Sequence, residues 1–470
     1  MGIEFLQIMK SEMILTLIIF ILLFLKVWDG IKSHKALLNI TNFLLFINLA
    51  VGLCCNTDGE LFSGMFHSNS TLIMEKAILN LGTFIISLMA FDWLSNHKHL
   101  LEFYILLLCT LLGMDFMISS GNFLMFYLGL ELSSIPLAAL CNYDLHKLKS
   151  SEAGVKMILS SAFASCILLF GISMLYGTTG TLNFKEMAPL LTFNKLQVLA
   201  FIFAFSGFAF KLSAVPFHLW TADVYEGSPA PVTAYLSVIS KGSIVFIFIT
   251  AMFQLFQSYN AMWYNMLYLT ILLTITIGNL FAIRQDNIKR FLAFSSIAQV
   301  GYILLGISSG TAMGASAAIF FLVVYTFSNL GAFGVISLVS AKTGKENITD
   351  FKGFYTHNKF ASWVMAICLF SLGGIPPTAG FFGKMFLVTA GASRGSYLLI
   401  SIAVMNMVIS LFYYLRVIKA IFIDENPHPI SNLKGSPSLR LALVLCIVGA
   451  ITMGFASGLF EYINVTLTGK

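Results

Sequence analysis

Long apolar runs separated by short polar loops fill almost the whole chain. A helix needs about 20 apolar residues to cross the hydrocarbon core of a bilayer, and runs of that length follow one another throughout the sequence. They predict an all-α polytopic membrane protein with about fourteen transmembrane helices. The predicted spans lie near residues 13–29, 37–55, 77–95, 99–119, 121–141, 153–177, 194–222, 228–257, 259–283, 290–308, 311–341, 360–391, 395–423 and 437–463.

The amino-acid composition excludes several classes of protein. Of the 470 residues, 58% are hydrophobic and only 10% are charged, which excludes a soluble enzyme, a nucleic-acid-binding protein and a disordered scaffold. The net charge of +6 is spread over short loops and does not form a basic patch for nucleic acid. The seven cysteines include no CxxC pair, and neither a P-loop nor a GxGxxG motif following a strand is present. We therefore expect no metal, nucleotide or redox cofactor in this chain.

The lysines and arginines between the spans predict an orientation. Most of them fall in alternate loops on one side of the predicted membrane, and cytoplasmic loops are the ones enriched in such residues. With fourteen spans, this asymmetry places both termini on the outer side of the membrane. A wrong span count would have scrambled the alternation, so the asymmetry also favours fourteen.

Two predicted spans are interrupted by proline. The seventh contains Pro216 and the twelfth contains the pair Pro376 and Pro377. Proline removes a backbone donor and clashes with the preceding turn, so the carbonyls it frees must face protein or a wet cavity. A tolerated kink would explain one such site, but a second, again with a lysine beside it, favours function. Spans five apart run in opposite directions, so the two halves are candidate inverted repeats whose broken helices indicate the transport site.

Ionisable side chains inside the predicted spans are the candidate functional residues. Each charge at the centre of a bilayer costs about 2.5–3.5 kcal/mol on insertion scales, so such a residue favours function with a partner nearby. Four lie well inside spans, and two further candidates are secondary. The four are Glu131, Lys211, Lys241 and Lys384, and the secondary candidates are Lys156 and His218.

Structural alternatives accompany some of these candidates. Glu131 could form an ion pair that only locks helices together, and Lys156 could reach from a span end to the membrane surface. His218 could be a hydrogen-bonded structural group near the helix break. Polar groups on spans ten and eleven could hold a water chain or simply form interhelical hydrogen bonds. These groups are Ser295, Ser296, Gln299, Tyr302, Tyr325, Ser328 and Asn329.

Buried lysines beside a glutamate suit proton transfer. An unperturbed lysine binds its proton too tightly to release it at neutral pH, desolvation weakens that hold, and a nearby carboxylate restores it. Glu131 and Lys211 could therefore form a switchable proton store that holds a proton when paired and releases it when apart. Lys241 would accept the proton and Lys384 would pass it outward.

At this point several motifs resemble a known family. Their order and spacing are similar to those of the antiporter-like membrane subunits of proton-pumping NADH:quinone oxidoreductase (respiratory complex I), which are related to subunits of multisubunit sodium/proton antiporters. The motifs are GLELS at 129–133, EAGVK at 152–156, FKLSAVPFHLWTADVYEGSPAPV at 210–232 followed by Ser240 and Lys241, QDNIKR at 285–290, SSIAQVGY at 295–302 and GIPPTAGFFGK at 374–384.

The resemblance implies fourteen helices, two inverted five-helix repeats and broken helices at spans seven and twelve. It divides the chain into an N-terminal three-helix segment (1–98), a first repeat (99–257), a second, inverted repeat (258–423) and a C-terminal helix (424–470). By position, Glu131, Lys211, Lys241 and Lys384 match the family's span-five glutamate and the lysines of spans seven, eight and twelve, and Lys156 matches a lysine of span six. Family members carry His or Gln at position 299, and Gln299 gives this chain no titrating group there.

The resemblance also implies the cellular role. Protons would cross the membrane, driven by quinone reduction in other subunits, which would hold the NADH, FMN, iron–sulfur clusters and quinone. The partners would be homologous antiporter-like subunits, small membrane subunits and the lipid bilayer of a bacterial plasma (inner) membrane. The alternative function is a subunit of a multisubunit sodium/proton antiporter, and a non-pumping membrane scaffold would have lost the buried charges.

Overall fold

A computed structural model describes residues 2–28, 33–54 and 58–468, and these residues are almost entirely helical. The helices are α1 (Gly2–Ile8), α2 (Lys10–Trp28), α3 (His34–Leu53), α4 (Ser70–Leu94), α5 (Leu100–Ile118), α6 (Phe123–Cys141), α7 (Leu148–Thr179), α8 (Phe184–Met187), α9 (Lys195–Leu212), α10 (Leu219–Gly227), α11 (Ala230–Tyr235), α12 (Lys241–Thr250), α13 (Asn260–Ile283), α14 (Ile288–Ile307), α15 (Ala312–Thr343), α16 (Lys359–Gly373), α17 (Ala379–Ala392), α18 (Tyr397–Phe422), α19 (Pro437–Thr452) and α20 (Ser457–Thr468). Two π-helical turns, Leu236–Ser240 and Ala251–Leu255, flank α12.

The polytopic, helical architecture is confirmed. In the described part of the chain, 12 helices are long and apolar enough to cross a membrane, and three shorter apolar helices are α16, α17 and α19. The count of fourteen spans stays a prediction. The last predicted span, 437–463, was wrong as a continuous helix, because the chain leaves helical geometry between α19 and α20.

A short hairpin was absent from the sequence prediction. Strands β1 (Gly59–Leu61) and β2 (Phe66–Ser68) pair antiparallel in the loop before α4. The hairpin is tied to the end of α5, since the His67 N–H donates to the Ser119 carbonyl at 2.8 Å and the Gly121 N–H donates to the Met65 carbonyl at 2.8 Å. It therefore closes that end of the helix pair α5–α6.

The predicted break in the seventh span is confirmed. Helix α9 ends at Leu212, and α10 begins only at Leu219. Ser213 has a positive φ of 61°, and the Val215 N–H donates to the Thr274 hydroxyl of α13 at 3.0 Å instead of to a carbonyl of its own helix. A neighbouring side chain thus replaces a helical hydrogen bond, as a break inside a membrane requires.

The break in the twelfth span is also confirmed. Helix α16 ends at Gly373, Gly374 adopts the left-handed conformation with a φ of 79°, and α17 begins at Ala379. The Gly380 N–H donates to the Ser371 hydroxyl at 3.2 Å. A β-carbon at Gly380 would lie 1.7 Å from the Ser371 carbonyl oxygen, so the two half-helices approach so closely that only glycine fits there.

The variant Gly380→Ala tests this packing. We expect it to lower the stability of the folded chain by more than about 3 kcal/mol, because overpacking typically costs about 1–3 kcal/mol and here a backbone atom must move. The measurement is the thermal unfolding of the solubilised protein. The matched control is Gly177→Ala in α7, where a β-carbon meets nothing within 4 Å. Equal stability of the two variants would contradict the close approach.

The chain divides into two compact units. The first comprises Met1–Phe84, Ser95–Leu212 and Ser240–Trp263, and the second comprises Ile85–Leu94, Ser213–Ile239 and Tyr264–Lys470. In the first, α5 packs on α6, α7 packs on α9, and α12 packs on both α5 and α9. In the second, α15 packs on α16, α17, α19 and α20, and α14 packs on α10 and α17. The domain boundaries given by the resemblance stay a prediction.

Candidate proton-transfer site

Lys211 lies at the end of α9, one residue before the helix ends, and only 9% of it is exposed. Its ammonium donates hydrogen bonds to the Ser134 hydroxyl of α6 at 2.6 Å and to the Ser161 hydroxyl of α7 at 2.7 Å. Two hydroxyls from neighbouring helices therefore solvate this buried cation. Neither serine was among the predicted site residues.

Glu131 lies on α6, on the turn before Ser134. Helix α6 packs unusually close to α5, since a β-carbon at Gly113 would lie 2.5 Å from the Ser133 nitrogen and one at Gly129 would lie 2.6 Å from the Met117 nitrogen. The buried Glu131 Oε1 has no hydrogen-bond partner among the described residues. Lys211 interacts electrostatically with Glu131, but its hydrogen bonds go to the serines. The predicted switching pair thus stays a prediction.

Lys241 is the first residue of α12 and directly follows the π-helical turn Leu236–Ser240. It is 3% exposed, and α12 packs on α9, the helix that carries Lys211. Single π-turns inside helices often lie at functional sites because the extra residue redirects the side chains that follow. Lys241 is therefore a buried lysine directly beside such a turn.

Lys384 lies on α17 of the second unit, beside the break, and is 2% exposed. Its ammonium donates to the Leu372 carbonyl at 2.7 Å and lies 5.1 Å from the centre of the Tyr302 ring. The helical donor to Leu372 would be the nitrogen of Pro376, which carries no hydrogen. The proline thus creates the acceptor that holds Lys384.

Gln299 of α14 donates to the same Leu372 carbonyl at 3.0 Å. Its amide also donates to the Tyr414 hydroxyl at 3.0 Å, which lies 2.5 Å from the Ser295 hydroxyl. The Gln299 Oε1 is buried without a hydrogen-bond partner among the described residues. A polar chain therefore runs from Lys384 through a carbonyl, an amide and two hydroxyls, with an acceptor left over for water.

Some of the other polar groups on α14 and α15 form interhelical hydrogen bonds, one of the two predicted alternatives. Asn329 of α15 donates to the Ser237 hydroxyl at 2.7 Å, and the Ser328 hydroxyl donates to that of Ser371 at 2.7 Å. The Tyr302 hydroxyl of α14 donates to the Ala403 carbonyl of α18 at 3.4 Å. The Ser296 hydroxyl instead donates to the Ala293 carbonyl of its own helix at 2.8 Å. Direct contacts do not exclude water beside them.

The two secondary candidates differ in burial. Lys156 forms an ion pair with Glu152 one turn earlier on α7 at 2.5 Å, and the two side chains are 40% and 59% exposed. His218 precedes α10, is 8% exposed, and its Nδ1 has no hydrogen-bond partner among the described residues. The structure therefore places His218 in the interior and Lys156 at the outer surface of the helices.

Two of the sequence motifs meet at one end of α10. Arg290 donates to Asp223 at 2.6 Å and to Glu226 at 3.1 Å, and Lys289 donates to the Ser228 carbonyl at 3.0 Å. These contacts fasten the half-helix after the break to α14. They explain why charged residues follow the broken helix at this spacing.

The structure adds buried charges that sequence analysis missed. Glu12, Glu75, Lys76 and Asp115 are between 0% and 4% exposed. The third span was predicted to begin at 77, which left Lys76 just outside it, whereas α4 begins at Ser70. Asp115 lies inside the fourth predicted span and was overlooked, although an aspartate in an apolar run was a sufficient signal.

The described residues contain no group of three or more His, Cys, Asp or Glu side chains placed to hold a metal ion. Among these residues, two hydroxyls hold the buried Lys211 ammonium and a backbone carbonyl holds that of Lys384. A polytopic helical protein with buried lysines at two broken helices has the features of an antiporter-like membrane subunit.

Comparison with known proteins identifies the family. The chain belongs to the family described as "NADH:quinone oxidoreductase/Mrp antiporter, TM", which matches residues 120–410. NADH-quinone oxidoreductase subunit N of Phocaeicola vulgatus is 46% identical over 463 residues, covering 97% of this chain and 98% of that protein. The protein of the same name from Azobacteroides pseudotrichonymphae is 49% identical over 416 residues, covering 87% of each.

Solved structures of two membrane complexes contain chains with the same fold as this chain. A chain of respiratory complex I from Thermus thermophilus superposes with a TM-score of 0.82 at 27% identity, covering 95% of this chain and 97% of that chain. A chain of the Mrp complex from Dietzia sp. has a TM-score of 0.89 at 19% identity, covering 100% and 97%. The second likeness shows the shared fold alone.

Proposed function

We propose that the protein is a proton-translocating membrane subunit of an NADH:quinone oxidoreductase and contributes no redox centre of its own. This proposal rests mainly on one observation: Lys384 and Gln299 both donate hydrogen bonds to the Leu372 carbonyl. That carbonyl has no helical hydrogen bond, because Pro376 has no N–H to donate. A buried ammonium held by one neutral carbonyl is poised to lose its proton without leaving an unpaired carboxylate behind. The relatives named as subunit N, which match nearly the whole chain, support the same role.

The residues that carry the proton are assigned within each unit. In the first unit, Glu131, Lys211 and Lys241 hold the proton, with Ser134 and Ser161 solvating Lys211 while it is charged. In the second unit, Lys384 holds it, and the chain of Gln299, Tyr414 and Ser295 orders water beside it. His218 and Lys156 serve secondary roles.

The redox groups and partners follow from the family. Other subunits of the complex would bind NADH, FMN, the iron–sulfur clusters and quinone. Homologous antiporter-like subunits and small membrane subunits would contact this chain within the bilayer. The solved structures it resembles come from multisubunit membrane complexes.

We place the protein in a bacterial plasma membrane with both termini outside. The distribution of lysine and arginine over alternate loops supports this orientation. Lys32 and Lys470, which were part of that distribution, lie outside the described residues.

Sodium dependence separates this function from the sodium/proton antiporter alternative. The intact complex is reconstituted in vesicles, NADH is added on the side of the NADH-binding subunits, and the pH of the other side is followed with a dye. We expect NADH to drive proton transfer at the same rate with and without sodium. Proton transfer that requires a sodium gradient and ignores NADH would favour the antiporter.

The variant Lys241→Arg tests whether this lysine must release its proton. Arginine keeps the positive charge but does not deprotonate in proteins. We expect the complex to assemble and proton transfer to fall by about 100-fold, the lower end of the usual contribution of a proton-transferring group. Lys342→Arg at the exposed end of α15 is the matched control and should pump normally. Failed assembly of the Lys241 variant alone would indicate a structural lysine.

A further inference from the structure

A second group of buried charges lies on α2, α4 and α5, helices that carry none of the residues proposed above. Glu12 is near the start of α2, Lys76 is near the start of α4 and Asp115 is near the end of α5. They are 1%, 4% and 0% exposed. Charges are costly at such places, so this group calls for an explanation of its own.

The three side chains divide into a pair and a single acid. The Lys76 ammonium lies 2.5 Å from Glu12 Oε1, so these two neutralise each other. Asp115 Oδ2 accepts a hydrogen bond from the Ser11 hydroxyl at 3.2 Å, whereas its Oδ1 is buried without a hydrogen-bond partner among the described residues. Asp115 also interacts electrostatically with both Glu12 and Lys76.

A row of polar side chains leads to the acid. Asn48 of α3 donates to Asn80 Oδ1 at 3.0 Å, and Asn80 donates to the Ser11 hydroxyl at 3.4 Å. Ser11, Glu12, Lys76 and Asn80 also line a cavity of about 10 Å³, which has room for about one water molecule. The second Glu12 oxygen, Oε2, is also buried without a partner among the described residues, so such a water would find acceptors.

Further charged groups lie close to the cluster. Glu75 precedes Lys76, is 3% exposed and has a buried Oε2 without a partner among the described residues. Lys10 also lines the cavity and donates to the Cys54 carbonyl. The Phe66 ring of β2 lies 5.0 Å from the Lys76 ammonium.

The cost of burying a net charge decides whether Asp115 is protonated. With Glu12, Lys76 and Asp115 all ionised, the cluster would bury one net negative charge, which is expensive in an apolar surrounding. One proton on Asp115 removes that charge and gives Asp115 an O–H beside Ser11, whose hydroxyl lines the cavity. If Lys76 turned from Glu12 toward Asp115, Asp115 would ionise, and its proton would pass through the Ser11 hydroxyl and a water in the cavity to Glu12, which that turn leaves unpaired.

We propose that Glu12, Lys76 and Asp115 form a further proton-binding site, at which Asp115 takes up and releases one proton under the control of the Glu12–Lys76 pair. The site's contribution to pumping rests on the proposed function, whereas its occupancy by a proton does not. Failure of the lysine relay would therefore leave this site unaffected.

Infrared spectra of the intact complex in H2O and D2O test the site, because a protonated carboxyl has a C=O band that a carboxylate lacks. Every protein compared carries Glu75→Gln, because Lys76 also acts on Glu75, and the spectra of variants are subtracted from that common background so that all distant carboxyls cancel. Asp115→Asn should lose one such band. Lys76→Met should gain one, since Glu12 then takes a proton as well. Glu12→Gln should lose one, since Asp115 then ionises to pair with Lys76.

A double variant shows whether a lost band reflects the protonation state of Asp115 or misfolding of the chain. Glu12→Gln combined with Lys76→Met replaces an ion pair by neutral side chains of similar size, and it should keep the wild-type band of Asp115. Asp58→Asn changes an exposed carboxylate and should alter no protonated-carboxyl band. An unchanged spectrum in Asp115→Asn, or loss of the band in the double variant, would overturn the proposal.

Discussion

Replacing Lys211 by alanine is expected to slow proton transfer by about 100-fold, because a positioned proton-transferring group typically contributes about 10²–10⁴-fold. Ser134 and Ser161 would remain, but hydroxyls do not ionise in this pH range and cannot store the proton. Since pumping is coupled to electron flow, NADH oxidation under coupled conditions should fall with it. Both rates are measured on the intact complex in sealed vesicles.

The control for this variant lies on the same helix. Lys195→Ala removes an exposed lysine from the start of α9 and should leave both rates unchanged. NADH oxidation is also measured after an uncoupler has collapsed the proton gradient, which distinguishes slow pumping from slow electron transfer. Wild-type pumping by Lys211→Ala would show that the proton does not pass through this lysine.

The breaks in the seventh and twelfth spans could be predicted from sequence because their cause is local. Pro216 and Pro376 lack a backbone donor whatever surrounds them, and no packing restores it. The predicted breaks consequently agree with the ends of α9 and α16. The break between α19 and α20 has no proline within it, and it was missed.

The contacts of the buried lysines could not be predicted, because they depend on how neighbouring helices are rotated and packed. The sequence gives no reason to select Ser134 and Ser161 rather than other serines as the acceptors of Lys211. The Glu131–Lys211 pair was a chemical inference from residue types, and the observed hydrogen bonds go to those hydroxyls. Only the approach of α6, α7 and α9 determines which group lies within reach.

Span boundaries limited the site prediction as well. Apolar runs set the predicted spans to begin at 13 and 77, which placed Glu12 and Lys76 just outside the membrane. In the structure these residues neutralise each other, and a paired charge can lie further inside a helix than its own hydropathy suggests. A search for opposite charges at the starts of predicted spans would have found this pair.

Replacing Lys384 is the second large expected effect. Lys384→Ala should reduce proton transfer by about 100-fold, by the same reasoning as for Lys211. The Leu372 carbonyl would keep the Gln299 amide as a donor at 3.0 Å, so the broken helix should survive and the complex should assemble. Proton transfer and the amount of assembled complex are measured together.

A second substitution shows whether position 384 needs a side chain that can release its proton or only a positive charge. Lys384→Arg keeps a cation that can donate to the Leu372 carbonyl and lie against the Tyr302 ring, but it cannot release its proton. We expect it to assemble like the wild type and to pump as poorly as Lys384→Ala. Lys359→Ala at the exposed start of α16 serves as the control. If Lys384→Arg pumped normally, position 384 would need only a fixed positive charge, and the proton would have to take another path through the second unit.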